Sequence, residues 1–114
     1  MNLDNEITIS DKRTANRYTS KGTVETTTTI EKIERQDTAL STSVTMTFNF
    51  TCRRTFGDYG YCGFIVIFSD KNGNELSRKK CFCKVGEDGT FQCTAMLSGY
   101  KAGMGLVVSF ADYE

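Results

Sequence analysis

The feature that most constrains this chain is a strict alternation of apolar and polar residues between Val44 and Cys52. Successive side chains of a β-strand point to opposite faces, so a period of two predicts a strand with one buried face. Apolar side chains also fall on every second residue from Cys62 to Phe68 and from Met104 to Phe110. The chain is therefore expected to fold mainly as β-sheet.

The first third of the chain carries two weaker strand signals. A short strand is predicted over Glu6–Ile9, and the polar stretch Asp11–Gly22 is expected to be a loop, or an arm that orders in an assembly. The alternative for residues 1–22 as a whole is a partly flexible N-terminal arm. The stretch Thr23–Arg35 is rich in β-branched residues, which suit a pleated surface. Two isoleucines break its alternation, which indicates a β-bulge near Glu31 or Lys32, or alternatively a helical turn over 30–35.

Two turn signals organise the second half. Asn72-Gly73 follows the apolar run Phe64–Phe68 and predicts a tight hairpin, because both residues tolerate positive φ. Glu87-Asp88-Gly89 is expected to close a second hairpin as a three-residue loop. That loop would pair Val85 with Phe91 and Cys83 with Cys93.

Between these two turns the alternation is not consistent with one regular strand. Leu76 and the alternating series that begins at Cys81 have opposite parity, so they would point to opposite faces of the strand. The charged triplet Arg78-Lys79-Lys80 lies between them. A bulge at this triplet, or a crossing of the chain to a second sheet there, would resolve the conflict. Short strands at regular spacing without helical periodicity predict an all-β fold. We expect an antiparallel, immunoglobulin-like β-sandwich of about seven or eight strands in one domain over 1–114.

The stretch Gly63–Leu76 also carries a family resemblance. Its apolar strand runs into the turn Asp70-Lys71-Asn72-Gly73 and a returning leucine. This resembles the central hairpin of small bacterial immunoglobulin-like modules of the FxLYD type. The resemblance implies a non-catalytic sandwich and carries no functional residues across.

Charge and length exclude several classes of partner. The 114 residues contain 14 Lys and Arg and 14 Asp and Glu, so the formal net charge is zero and gives no general attraction to nucleic acid or anionic membrane. No apolar stretch approaches the roughly 20 residues of a membrane span. The start lacks signal-peptide features, which predicts a cytoplasmic or virion setting, or a chain that begins after a removed signal.

The residue types argue against catalysis. The chain has no histidine, which removes Ser-His-Asp and Cys-His nucleophiles and mixed Cys/His zinc sites. The glycine-rich stretch Gly99–Gly105 precedes a strand rather than a helix, so it is interpreted as a turn and not a phosphate loop. We expect no enzyme activity, no cofactor and no small-molecule substrate.

Five cysteines leave at least one unpaired if disulfides form. The first interpretation is reduced, buried thiols. The second is disulfides in which Cys52 faces Cys62 and Cys83 faces Cys93, with Cys81 left over. A four-thiolate zinc site is the third, since neither spacing is the usual knuckle.

The best candidate for a binding site is the loop between Cys52 and Cys62. Tyrosine and arginine are enriched at binding hot spots, and the glycines permit an exposed presentation. The alternative is a hairpin tip whose aromatic residues cap the core. The predicted partner-binding residues are Arg53, Arg54, Phe56, Tyr59 and Tyr61.

The leading hypothesis is a non-catalytic protein-interaction or assembly module, such as a virion decoration or structural component. Its partner is a protein or a second copy of the chain. One alternative is a small inhibitor or immunity-type protein that binds one partner through residues 53–61. Another is a module stabilised by metal on its cysteines. Arg78-Lys79-Lys80 is interpreted as a charged edge strand in preference to a nucleic-acid site.

Overall fold

The computed structural model describes residues 3–10, 15–19, 22–55, 61–84 and 90–112, with side chains over 3–10, 28–53, 64–81 and 90–111. Within these residues the chain forms one turn of 3-10 helix, Asp4–Glu6, and eight strands. The strands are β1 (Ile7–Ile9), β2 (Ala15–Thr19), β3 (Gly22–Ala39), β4 (Val44–Thr55), β5 (Tyr61–Asp70), β6 (Glu75–Lys84), β7 (Thr90–Tyr100) and β8 (Leu106–Asp112).

The strands form two four-stranded sheets. Sheet A has the order β1-β8-β5-β6, and sheet B has the order β2-β3-β4-β7. The short strand β1 runs parallel to β8, whereas the other described pairs are antiparallel. The all-β, sandwich-like arrangement expected from the alternation is confirmed.

The core lies between the inner faces of the two sheets, where the alternation of β4 places its apolar side chains. Phe48 of sheet B meets Phe68 of sheet A with ring centroids 5.3 Å apart. Phe50 meets Phe110 edge to face at 5.8 Å, a geometry that aromatic rings favour. The other large buried residues are Leu3, Met46, Phe64, Val66, Tyr100, Leu106 and Val108.

Two β-bulges interrupt the strand pairing; the first lies where the sequence predicted it, and the second lies at Leu76, two residues before the charged triplet at which it was expected. The β3–β4 register shifts between Ile30 and Lys32, so Glu31 is the extra residue. In the β5–β6 pair Phe68 lies opposite Ser77 and Ser69 opposite Glu75, which leaves Leu76 as the extra residue. The bulge at Leu76 resolves the parity conflict and returns Cys81 to the inner face.

The predicted hairpin at Asn72-Gly73 is confirmed, and Gly73 has φ +88°. The carboxylate of Asp70 accepts hydrogen bonds from the backbone N–H groups of Asn72 and Asn74, at 2.9 Å each. These bonds hold the pKa of Asp70 below its ordinary value. The amide of Lys71 donates to the carbonyl of Met104, at 3.3 Å, so the β7–β8 connection lies beside this hairpin.

Two sequence predictions are wrong. The stretch expected to be a loop contains β2, which pairs with β3 through Thr19 opposite Gly22. The second hairpin does not form, because β6 pairs with β5 in sheet A while β7 pairs with β4 in sheet B. Crossing to the other sheet lets β7 bury Ala95 and Leu97 beside β4, a gain that the local turn pattern does not reveal.

Candidate protein-interaction site

The outer face of sheet A carries a row of aliphatic side chains. Strand β5 buries Phe64, Val66 and Phe68, so its intervening residues point outward. Ile65 lies opposite Ala111 of β8, and Ser69 lies opposite Val107. The four outward aliphatic side chains, each only partly buried, are Ile65, Ile67, Val107 and Ala111; we call them the aliphatic face.

Basic side chains border the aliphatic face on the edge strand β6. Arg78 lies opposite Ile67, and Lys80 lies opposite Ile65. Arg78 donates two hydrogen bonds to Glu75, the shorter at 2.6 Å, and this contact holds the pKa of the Glu75 carboxyl below its usual value. The charged triplet therefore lies on an edge strand, as predicted, where it discourages unwanted strand pairing.

The outer face of sheet B is polar instead. Thr47 and Asn49 of β4 lie opposite Met96 and Thr94 of β7, and the Thr94 hydroxyl donates to the Asn49 side-chain oxygen at 3.3 Å. These threonine and asparagine side chains border a shallow groove of about 430 Å³. Met96, with 59% of its surface exposed, is the apolar exception on this face.

A second cluster fastens residues 3–10, which we call the N-terminal segment, to the body of the protein. Leu3 is only 1% exposed. Asp4 forms an ion pair with Arg35 of β3, at 2.7 Å. Glu6 accepts hydrogen bonds from the Tyr100 hydroxyl, at 2.5 Å, and from the Gly103 amide, at 2.8 Å. The segment thereby contacts β3 and β7 of sheet B while β1 pairs with β8 of sheet A.

These contacts shift the protonation equilibria of both partners. The Tyr100 hydroxyl and the Gly103 amide stabilise the carboxylate and hold the pKa of Glu6 below its usual value. Burial, together with the hydrogen bond to Glu6, raises the pKa of Tyr100 to about 12. The Tyr100 oxygen also accepts a hydrogen bond from the Gly105 amide, at 3.0 Å. Around neutral pH the pair is therefore a neutral phenol donating to a carboxylate.

The cysteines do not pair as predicted. Cys81 of β6 and Cys93 of β7 form a disulfide with their Cα atoms 5.8 Å apart. The two strands occupy the same edge of the sandwich in opposite sheets, which brings the sulfurs together. The expected Cys83–Cys93 pair and the interpretation of all cysteines as reduced thiols are both wrong. Cys52 is buried, and the side chain of its predicted partner, Cys62, lies outside the described side chains.

The predicted partner-binding loop lies only partly within the described residues. Arg53 ends the described side chains of β4 and forms an ion pair with Glu31, at 2.9 Å. Arg54 and Tyr61 lie in the terminal parts of β4 and β5, and nothing further is described of their side chains. Phe56 and Tyr59 lie outside the described residues.

Sequence reasoning missed the aliphatic face although a signal was present. Strand β4 alternates strictly, whereas the run Phe64–Phe68 is apolar at five successive positions. In a strand, an unbroken apolar run means that both faces are apolar. The N-terminal segment offered no comparable signal, because Asp4, Glu6 and Tyr100 have meaning only after folding brings them together.

The described residues show neither a metal-binding cluster nor a membrane-crossing helix. They contain no group of three or more Cys, Asp or Glu side chains placed to hold a metal ion. In the same part of the chain, no helix is long and apolar enough to cross a membrane.

Comparison with protein-family models, curated proteins and solved structures finds no match to this chain. The function must therefore be argued from the surfaces themselves.

Proposed function

We propose that this protein is a non-catalytic assembly module that self-associates through the aliphatic face of sheet A, for example as a structural or decoration component of a virion. The observation that carries the proposal is the row Ile65, Ile67, Val107 and Ala111 on the outer side of a sheet whose inner side already covers the core. A sheet with apolar residues on both faces gains free energy when its second face is also covered.

The surroundings of the aliphatic face fit a second copy of the chain as its partner. An apolar centre with charged residues at its border has the anatomy of a protein interface, and a two-fold axis would bring the same row together from both copies. Arg78 at the border is already ion paired with Glu75, which limits charge repulsion between two such copies.

We further propose that the sandwich is immunoglobulin-like, as the FxLYD-type resemblance implies. In that fold strands B and E are neighbours in one sheet, and strands C and F are neighbours in the other. The pairs β4–β7 and β5–β8 have this relation, and the chain crosses between sheets from β4 to β5 and from β7 to β8. The place of strand G, beside β8, holds β1.

The proposed absence of enzyme activity rests on the missing histidine and on the shallow polar groove, which contains no buried catalytic group. The cysteine-based metal module loses support, because the disulfide leaves three of the five cysteines, fewer than a four-thiolate site needs. The disulfide also favours an oxidising setting, so it supports the virion part of the localisation prediction better than the cytoplasmic part.

The test is a matched pair of surface substitutions measured by native mass spectrometry and light scattering. Ile67→Lys introduces a charge in the centre of the aliphatic face, and Thr47→Lys introduces the same charge on the polar face of sheet B. We expect the wild type and Thr47→Lys to form the same oligomer and Ile67→Lys to be a folded monomer. A monomeric wild type, or an oligomer unaffected by Ile67→Lys, would contradict the proposal.

A further inference from the structure

We propose that the N-terminal segment is an exchangeable strand: residues 3–10 of one copy occupy, in a second copy, the groove that they fill in their own. This inference rests on the proposed self-association and specifies how the copies are linked. The groove has three parts, namely the pocket around Leu3, the polar site at Tyr100 and Gly103, and the edge of β8.

The segment is held as a bound peptide would be held. Leu3 is a buried apolar anchor beside Ala39 and Val44. The Asp4–Arg35 ion pair and the two hydrogen bonds of Glu6 reach residues 31, 94 and 97 positions away. Each contact joins the segment to distant parts of the chain, so a second copy of the groove can make the same contacts. Exchange then costs no contact energy.

The backbone of the segment adds itself to a sheet edge. Ile7 pairs with Leu106 and Ile9 with Val108 in parallel orientation, and the amide of Ser10 donates to the carbonyl of Val108 at 2.9 Å. Addition of an extended segment to an exposed strand edge is a common mode of recognition between chains. The acceptor edge is β8, beside which an immunoglobulin domain would place strand G.

The chain between the segment and the body limits how far the segment can reach. Four residues, 11–14, separate Ser10 from the start of β2 at Ala15. Five extended steps span about 17 Å, so the acceptor copy must lie next to the donor. A short connection of this kind favours exchange between neighbouring copies.

The aliphatic face supplies that neighbour. Thr8 of β1 lies directly opposite Val107, which is itself part of the aliphatic face. Two copies that meet through this face therefore bring the donor strand of one copy close to the acceptor edge of the other. The proposed interface and the exchange site are continuous.

The exchange is tested with full-length chains that carry one new cysteine each. Thr8→Cys and Val107→Cys place thiols at paired positions of β1 and β8. The two variants are mixed in denaturant, refolded together, oxidised and examined by non-reducing electrophoresis and peptide mass spectrometry. We expect a covalent heterodimer joined between positions 8 and 107. Adding Leu3→Asp to the Thr8→Cys chain should lower its yield about tenfold, because the partner's own segment then competes better for the groove.

Two controls separate strand exchange from simple contact between faces. The double variant Thr8→Cys/Val107→Cys must form the 8–107 bond, within one chain or between two exchanged chains, which shows that the positions can be bridged. Ala111→Cys lies on the same face four residues further along β8, and it should not bond to Thr8→Cys. Two results overturn the exchange: a disulfide between positions 8 and 107 that forms only in the double variant and not in the mixture, or a Thr8→Cys chain that bonds equally well to positions 107 and 111. A wild-type oligomer without the 8–107 link would refute the exchange and leave the proposed self-association standing.

Discussion

The two sheets are fastened to each other in two different ways at opposite edges of the sandwich. At the β6–β7 edge the tie is covalent, through Cys81 and Cys93. At the β8 edge the tie is the N-terminal segment, which pairs with β8 of sheet A and bonds to Arg35 and Tyr100 of sheet B. A covalent tie is permanent under oxidising conditions, whereas a docked segment can leave and return.

This contrast indicates which edge can take part in assembly. The disulfide keeps β6 and β7 together in one chain, and the cations of β6 oppose pairing with another strand. The opposite edge depends on contacts that a second copy can supply equally well.

Removing the covalent tie should produce the largest loss of stability. Cys81→Ala/Cys93→Ala is expected to lower the free energy of unfolding by about 2–4 kcal/mol, because the unfolded chain is no longer cross-linked across this segment. Denaturant titration of the oxidised wild type and of the double variant measures the difference. Wild type under reducing conditions should match the double variant, and equal stability of oxidised and reduced wild type would show that the bond contributes little.

Weakening the non-covalent tie should lower the free energy of unfolding by less, and it should loosen the N-terminal segment alone. Leu3→Ala is expected to lower stability by about 2 kcal/mol, at the low end for a buried leucine, because the segment undocks and leaves no rigid cavity. Hydrogen exchange should quicken at the amides of β1 while the amides of β4 stay protected. Asn5→Ala, at an exposed position in the same turn, serves as the control and should leave exchange unchanged. Global loss of protection would mean that the segment does not open independently.

The Tyr100–Glu6 contact should give this edge a distinctive pH dependence. The raised pKa of Tyr100 contributes stability that is complete below pH 10.0, the ordinary value, and is lost as the pH rises towards about 12. The lowered pKa of Glu6 contributes stability above pH 4.5 that is lost as the pH falls through the lowered value.

Tyr100→Phe should remove the alkaline part of this dependence and lower stability at neutral pH by about 1–2 kcal/mol. Unfolding midpoints of wild type and variant, measured from pH 7 to 12, are expected to converge at the alkaline end. If the midpoints of wild type and variant differ by the same amount at every pH, the proposed link between Tyr100 ionisation and stability is contradicted, even if the variant is less stable throughout.

The smallest effect is expected at Arg53, which belongs to neither tie. Its ion pair with Glu31 is exposed, with side-chain exposures of 57% and 41%, so Arg53→Ala should change stability by no more than about 0.5 kcal/mol. Chemical denaturation checks this value, and a loss above about 1 kcal/mol would show that Arg53 has a structural role. Because the substitution is nearly neutral for folding, it also tests the predicted 53–61 binding loop without disturbing the sandwich.

Part of the fold could be predicted from the sequence because it depends on local patterns. The alternation of β4, the Asn72-Gly73 turn and the bulge at Glu31 each depend on residues close in sequence. The pairing of β7 with β4, and hence of Cys93 with Cys81, was not readable. A turn sequence between β6 and β7 is compatible with a hairpin and with a crossing, and only the burial available beside β4 decides between them.

The candidate site divides in the same way. The aliphatic face could be predicted from the apolar run through Ile65 and Ile67, because five successive apolar residues of a strand cannot all face one core. No local pattern connects Glu6 with Tyr100, which are 94 positions apart. Their meeting depends on the path of the whole chain.

Strand periodicity and residue type are local properties of the chain. They were enough to predict the all-β class and the inner face of each alternating strand, and to exclude histidine chemistry. Three outcomes depended on the tertiary structure instead: which strands became neighbours, which cysteines bonded and where the N-terminal segment docked. Those outcomes depend on how much apolar surface each long-range pairing buries, and that quantity exists only once the two sheets have come together.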